Sequence, residues 1–297
     1  MGETEGGVEQ SAKRLMEMLW RDRDAPPPQK RGTAGRKPTL TLDAVVRAAI
    51  GLADAEGLAA LSMARVAKAL GAGTMTLYSY VPGKSDLLDL MVDQVFGERD
   101  LLADVPGGWR GKVRHYAERT LRMHREHPWL RQVSTLRPPL GPGSLAGEEY
   151  LLAALVDTGL TARQTTAAAR SVASFVDTAA AEEVERSQVE ATTGQSDDAW
   201  WQARQWFWET YFDYERFPAM VRVWEAGGFD QATAEQAAEA HEFGLARLLD
   251  GIEGLIGAGT SRNPVPSHRQ RAETERELSR THSRPLARSA SSERSRG

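Results

Sequence analysis

A chain of 297 residues, 41% of them hydrophobic, has apolar material for one large core or two unequal ones. It has no cysteine, which removes disulfides, thiolate metal sites and thiol nucleophiles together. No apolar run approaches the roughly 18 residues of a membrane helix and no charged start plus apolar run marks a secretory leader, so a cytoplasmic protein without a membrane partner is expected. The net charge of −4 argues against a nucleic-acid partner only until it is divided: residues 1–28 carry −2, 29–97 carry +2, 98–260 carry −9 and 261–297 carry +5. Phosphate contacts are local, so the sign of the segment matters more than the total.

Residues 1–38 read as a flexible extension. Within it Ala12 to Trp20 can form one short helix with Leu15, Met18 and Leu19 on a face, ended by Pro26-Pro27-Pro28. Lys30, Arg31, Arg36 and Lys37 follow as a basic arm, either a solvated linker or an arm on phosphates or in a minor groove. Its place beside the next elements favours the second. Thr41 caps a helix with Leu42, Val45, Val46, Ala49, Ile50 and Ala53 in one stripe, closed by Gly57. Ser62 caps the next, where Met63, Val66, Ala67 and Leu70 recur at helical spacing, and Gly71 follows where a left-handed residue is needed. A short helix from Gly73–Thr74 carries Met75, Thr76, Leu77, Tyr78, Ser79 and Tyr80. Pro82-Gly83 then breaks the chain, and Leu87, Leu88, Met91 and Val95 mark a fourth helix. Helix, tight turn and short polar helix make the layout of a helix-turn-helix, whose second helix enters the major groove.

The run from Thr41 to Asp93 resembles the N-terminal DNA-binding domain of the TetR family. The most specific part is Leu77-Tyr78-x-Tyr80-Val81-x-x-Lys84-x-x-Leu87-Leu88, downstream of Leu61-Ser62 and Leu70-Gly71. Two positions depart from the pattern. Gly73 stands where a serine cap is common, and Ala64 where the tetracycline repressor has a base-contacting arginine, so the operator sequence does not carry over.

Residues 98–260 read as a helical body, with helices expected at 109–126, 144–158, 161–187, 198–215 and 232–256 and no sheet. Trp109-Arg110, His127-Pro128-Trp129 and Gly159-Leu160-Thr161 are similar to the C-terminal domain of the tetracycline-repressor-like branch. In that branch two long helices pair with their twins in a four-helix dimer interface. The matching segments here, 161–187 and 232–256, carry Ala168, Val172, Phe175, Ala179, Phe243, Leu245, Leu248, Leu249 and Ile252, which serve either a homodimer or the monomer's own core. Head and body are expected to fold as separate units joined through the first body helix. Residues 261–297, rich in arginine and serine, are expected to be a disordered tail.

In the reading helix Thr74, Met75 and Thr76 fall on the first turn, where base edges are met. Tyr78 and Tyr80 suit phosphates, and Lys84 stands at a helix start, where charge and free N–H groups together favour one. Tyr78 can also pack its ring, while Leu77 and Val81 read as core. Ser62, Arg65, Arg36 and Lys37 complete the DNA-facing set. Eight aromatics within residues 200–214 are core or the wall of a cavity for an apolar or aromatic effector. The pocket is expected from Trp206, Phe207 and Tyr211 with Phe175, Asp177 and His124. His124 and His127 flank Glu126 without a third metal ligand, and His127 before Pro128 is more simply a cap, so no metal or cofactor is expected. The reading is an all-helical, two-domain, dimeric regulator on a palindromic double-stranded operator, a repressor released by a small molecule. A ligand-independent or nucleoid-type DNA protein and a helical enzyme are the alternatives. No nucleophile–base set or phosphate loop supports the enzyme.

Overall fold

The structure, a computed structural model, describes residues 5–22, 40–134 and 137–260; the basic arm with Arg36 and Lys37 and the arginine-rich tail lie outside the described residues. Among the described residues it is all helical. The helices are α1 (Glu5–Leu19), α2 (Leu42–Glu56), α3 (Met63–Ala69), α4 (Thr74–Tyr80), α5 (Lys84–Gly97) and α6 (Gly108–Glu126). They continue with α7 (Pro142–Leu155), α8 (Ala162–Thr193), α9 (Asp197–Gln202), α10 (Trp206–Thr210), α11 (Pro218–Glu225) and α12 (Thr233–Thr260). Tight 3-10 turns stand at Leu58–Ala60, Pro128–Gln132 and Val156–Thr158.

Local chemistry sets the head. Thr41 Oγ1 accepts from Ala44 N at 3.1 Å and Ser62 Oγ from Arg65 N at 3.3 Å, each occupying a backbone donor that the first helical turn leaves free. Gly71 takes φ +64°, which lets Ala72 N reach back to Ala67 O at 2.9 Å and turns the chain between α3 and α4. Val45, Val46, Ala49, Val66, Leu77, Val81, Leu87, Met91 and Val95 are wholly buried between α2, α3, α4 and α5. Each large side chain among them contributes about 1.5–3 kcal/mol of burial, less the cost of ordering it.

Three expectations need correction here. The N-terminal segment is not wholly a flexible extension: α1 begins seven residues before Ala12, and it buries Leu19 in the head core with Leu15, Met16 and Met18 packed beside it. Trp20 Nε1 then donates to Leu140 O at 2.8 Å and Arg21 pairs with Asp43 of α2 at 2.5 Å. Head and body are not separate units either. Met123, Trp129 and Leu130 belong to the head's apolar core, because the 3-10 turn after α6 drives the Trp129 ring into it. Finally, 198–215 is not one helix. The ladder gives way at 203–205 to turn bonds such as Gln205 N to Gln202 O and Phe207 N to Arg204 O. Across this break Trp201 stacks on Trp208 at 6.2 Å, and Trp208 reaches Trp224 of α11 at 6.3 Å.

The body's second core joins Val113 and Tyr116 of α6, Leu151 and Leu155 of α7, Ala168, Ala169, Val172 and Val176 of α8, and Leu245, Leu249 and Ile252 of α12. The α8 helix starts on a reciprocal Thr161/Gln164 cap and runs to Thr193, one and a half turns beyond its expected end, stopping at Gly194 with φ +66°. At the junction Glu183 pairs with Arg125 at 2.6 Å, and Gln188, in the added length, accepts from Arg131 at 2.7 Å.

Candidate DNA interface and ligand chamber

One face of α4 and the start of α5 is open to solvent. Met75 is 81% exposed and Tyr78 41%, and Thr76 and Lys84 are exposed beside them. Thr74 is half-buried at the first turn, whose cap residue, Gly73, offers no side-chain bond. Leu77 faces the opposite way and is fully buried, so core packing fixes the phase of the reading helix. The packing allowed to Tyr78 falls to its neighbour: Tyr80, not Tyr78, lays its ring against the core. Ser62 is half-buried and serves as the α3 cap. Arg65 turns back to Glu56 at 2.5 Å and to Ala60 O, which holds its charge away from the α4 face.

At the other end of α5 the head is bolted to the body. Asp93, 6% exposed, accepts from Gly143 N at 3.3 Å and Ser144 N at 2.8 Å, so its charge sits on the positive end of α7. A Cβ at Gly143 would lie 1.9 Å from Asp93 O, so only glycine permits this approach. Asp54 of α2 binds the far end of α6. Its Oδ1 lies 2.9 Å from His127 Nδ1 and accepts from Trp129 Nε1 at 2.7 Å, while His127 Nε2 lies 3.4 Å from Glu98. His124 and His127 therefore turn to different partners and do not converge on a metal.

Between these two attachments lies a buried polar cluster. Arg99, just past α5 and 5% exposed, donates to Phe96 O at 3.1 Å and Tyr116 Oη at 3.0 Å, with its guanidinium over the Phe96 and Tyr116 rings. Gly147 in mid-α7 makes room, since a Cβ there would stand 2.0 Å from Nη2. His124 of α6 is 5% exposed and its Nε2 lies 3.9 Å from Asp177 Oδ1 of α8. Burial, with the Arg99 charge adding, lowers His124 to about 4. Burial pushes Asp177 up to about 6, although the Arg99 charge pulls it back. At neutral pH the imidazole is thus uncharged beside a strained carboxylate. His124 Nδ1, Thr120 Oγ1 and Tyr150 Oη are buried and lack a hydrogen bond of acceptable geometry. A void of about 10 Å³, room for one water, touches His124 and is closed by Val92, Phe96, Leu130, Val133, Pro138 and Pro139, among others.

Of the pocket expected from the sequence, only His124 and Asp177 meet. Phe175 stands two residues from Asp177 and so on the other side of α8, 5.4 Å from the ring of His241 and against Gly244 of α12. There it lines an open cleft of about 750 Å³ between α8 and α12. Trp206, Phe207 and Tyr211 line neither void. They are 55%, 40% and 66% exposed and pack mainly on one another and on Trp208 and Phe212. Arg99, Tyr116, Thr120 and Tyr150 were missed. The one sequence signal for them was Gly147, a glycine in a helix interior where close approach is the usual reason.

Two family models match the chain: bacterial regulatory proteins of the tetR family over residues 45–91, and the tetracyclin repressor-like C-terminal domain over residues 103–256. The chain belongs to the TetR family. This TetR-family chain is 40% identical over 256 residues to the HTH-type transcriptional repressor DrrR1 of Streptomyces coeruleorubidus, covering 86% of this chain and 90% of that one. It is similar in structure to apo ActR of Streptomyces coelicolor, with a TM-score of 0.61 and 29% identity over 75% of this chain and 99% of ActR. ActR in complex with actinorhodin gives 0.61 and 29%, over 73% and 96%. Membership makes the chain a DNA-binding transcriptional regulator, with α3 and α4 as its helix-turn-helix.

Proposed function

We propose that this regulator is a repressor that binds a two-half-site operator as a homodimer and lets go when a small molecule enters the body between α5, α6, α7 and α8. The observation that carries the reading is the position of the buried polar cluster. Arg99 stands at the foot of α5 and Lys84 at its head, on the open face beside the reading helix. A helix of 14 residues is about 21 Å long, so a tilt of about 5° at the foot moves the far end by about 2 Å. A ligand that binds the tilted arrangement better shifts the population toward it, and its differential affinity for the two states limits the switch. The repressor named among the relatives and the ActR complex with actinorhodin support release by a small, largely apolar or aromatic molecule.

In this reading Thr74, Met75 and Thr76 meet bases. Tyr78, Tyr80 and Lys84 meet phosphates, with Ser62, Arg36 and Lys37 as further DNA contacts and Arg65 joining them only on leaving Glu56. The dimer forms across α8 and α12. Leu245, Leu249 and Ile252 are spent on the protomer's own core, whereas Phe243, 65% exposed, and the small residues beside the open cleft remain for a second copy. Selecting bound sequences from random DNA and then screening small molecules for release tests the whole reading. Binding without base preference, or to single half-sites by a monomer, would overturn it.

A further inference from the structure

We infer that the effector carries an acidic group, a carboxylate or an ionised phenol, and that Arg99 receives it. This rests on the reading of the body as an effector-binding unit, and it goes further by naming the chemistry that the unit selects.

A guanidinium does not lose its proton inside a protein, so a buried arginine needs a counter-charge or costs several kcal/mol. Among the described residues no carboxylate comes within salt-bridge distance of Arg99, which donates to one carbonyl and one phenol. The nearest acid in the cluster, Asp177, is held beside His124 instead and keeps 29% of its side chain exposed. Arg99 is also not free to leave. Phe96 and Tyr116 lie 5.0 and 5.1 Å from it, Arg119 donates to its carbonyl at 2.6 Å, and Gly147 leaves its far edge against the α7 backbone. Such an arrangement keeps a fixed, dehydrated positive charge with no carboxylate in contact, and Asp177 feels it only from beyond salt-bridge distance.

The surroundings complete a receptor. His124 Nδ1 is buried with no hydrogen bond made, and His124 lies near enough to Arg99 to feel its charge. Val92, Phe96, Leu130, Pro138 and Pro139 form an apolar wall on the other side of His124. A molecule with an apolar ring system and one acidic oxygen fits this division, its anion at the arginine and its rings against the wall. The void holds about one water, so the ligand must part the wall from α5 to enter. Binding therefore has to move the helix that carries Lys84.

The test is calorimetric titration of the full chain, without DNA, with 2-naphthoate and anthraquinone-2-carboxylate, each against its uncharged carboxamide. The acid is expected to bind at least about tenfold more tightly than its amide, as one charge-assisted pair would give. R99Q should bring acid and amide to equal affinity, and R99K should restore part of the difference. A nonspecific site on the exposed tryptophans would keep its preference in R99Q. Equal binding of acid and amide by the wild type, no binding of either acid at millimolar concentration, or a preference that survives R99Q would each overturn the inference. The wild-type comparison decides alone if R99Q does not fold. Acid binding that depends on Arg99 yet leaves the operator complex intact would sink release by ligand and spare this assignment.

Discussion

The two ends of α5 sit in opposite kinds of interior. Around its middle, Leu87, Leu90, Met91 and Val95 lock into an apolar core shared with α2, α3 and α4, where close packing allows a single arrangement. At its foot, Arg99, Tyr116, Thr120 and His124 are buried, with Asp177 half-buried beside them and His124 Nδ1 left without a hydrogen bond. The first interior makes the head a rigid reading block. The second holds the block in place at a cost that a ligand can relieve, and a regulator needs both.

The contrast breaks first if the head core proves soft. Leu77→Ala removes a fully buried anchor and should cost about 2–5 kcal/mol in urea unfolding, with operator binding lost in parallel. A change below about 1 kcal/mol would mean that the reading helix is not fixed by packing. Next in size, Asp54→Asn weakens the acceptor shared by His127 and Trp129 and should cost about 1–3 kcal/mol. Because it loosens head from body, ligand response measured as operator release should fall more than DNA affinity does.

Titration sharpens the comparison. The folded-state value of Asp177, about 6, lies above its ordinary 3.8, so between these the folded protein holds a proton that the unfolded chain has released. The contribution of Asp177 to stability therefore falls as pH rises through that window. His124, at about 4 against an ordinary 6.5, acts in reverse: its contribution falls as pH drops from 6.5 toward 4. The two oppose each other in the wild type. Asp177→Asn should lose stability more steeply than wild type on acidification from pH 6.5 to 4.5, and His124→Gln less steeply, each by roughly 1–3 kcal/mol at the extreme. Urea midpoints at the two pH values check this, and parallel slopes in all three proteins would refute it.

Smaller effects belong to the surface. Lys84→Ala should weaken binding to every duplex and reduce the salt slope by about one phosphate, whereas Thr76→Ala should change base preference with the slope unchanged. Swapped outcomes would invert the roles of positioning and reading. Phe207→Ala, on a ring already 40% exposed, should shift stability by only about 0.5 kcal/mol and leave ligand titrations nearly unaltered. A selective loss of ligand response there would return the aromatic segment to the pocket.

The reading pair was legible because its signals are local. Ser62, Gly71, Pro82-Gly83 and the spacing of Met63, Val66 and Leu77 act within a turn or two of the backbone they shape. The aromatic segment misled because rings at 200–214 satisfy a helix pattern equally well as one rod or as two pieces folded together. The backbone decides between them, with turn bonds at 203–205 in place of the helical ladder. Phe175 and Asp177 looked like one pocket at two residues' separation, yet a helical turn of about 100° per residue sends them to opposite sides.

From the sequence alone, then, came the helices of the head, the glycine that turns between them, the faces of α8 and α12 and the family. Caps, turns and periodicity are written in neighbouring residues. The tertiary structure alone decided that Arg99 is buried with no carboxylate in contact, that Trp129 belongs to the head's core, and that Gly143 and Gly147 admit Asp93 and Arg99. Those facts depend on residues about 50 to 75 positions apart meeting at particular faces, and no local pattern records which face meets which.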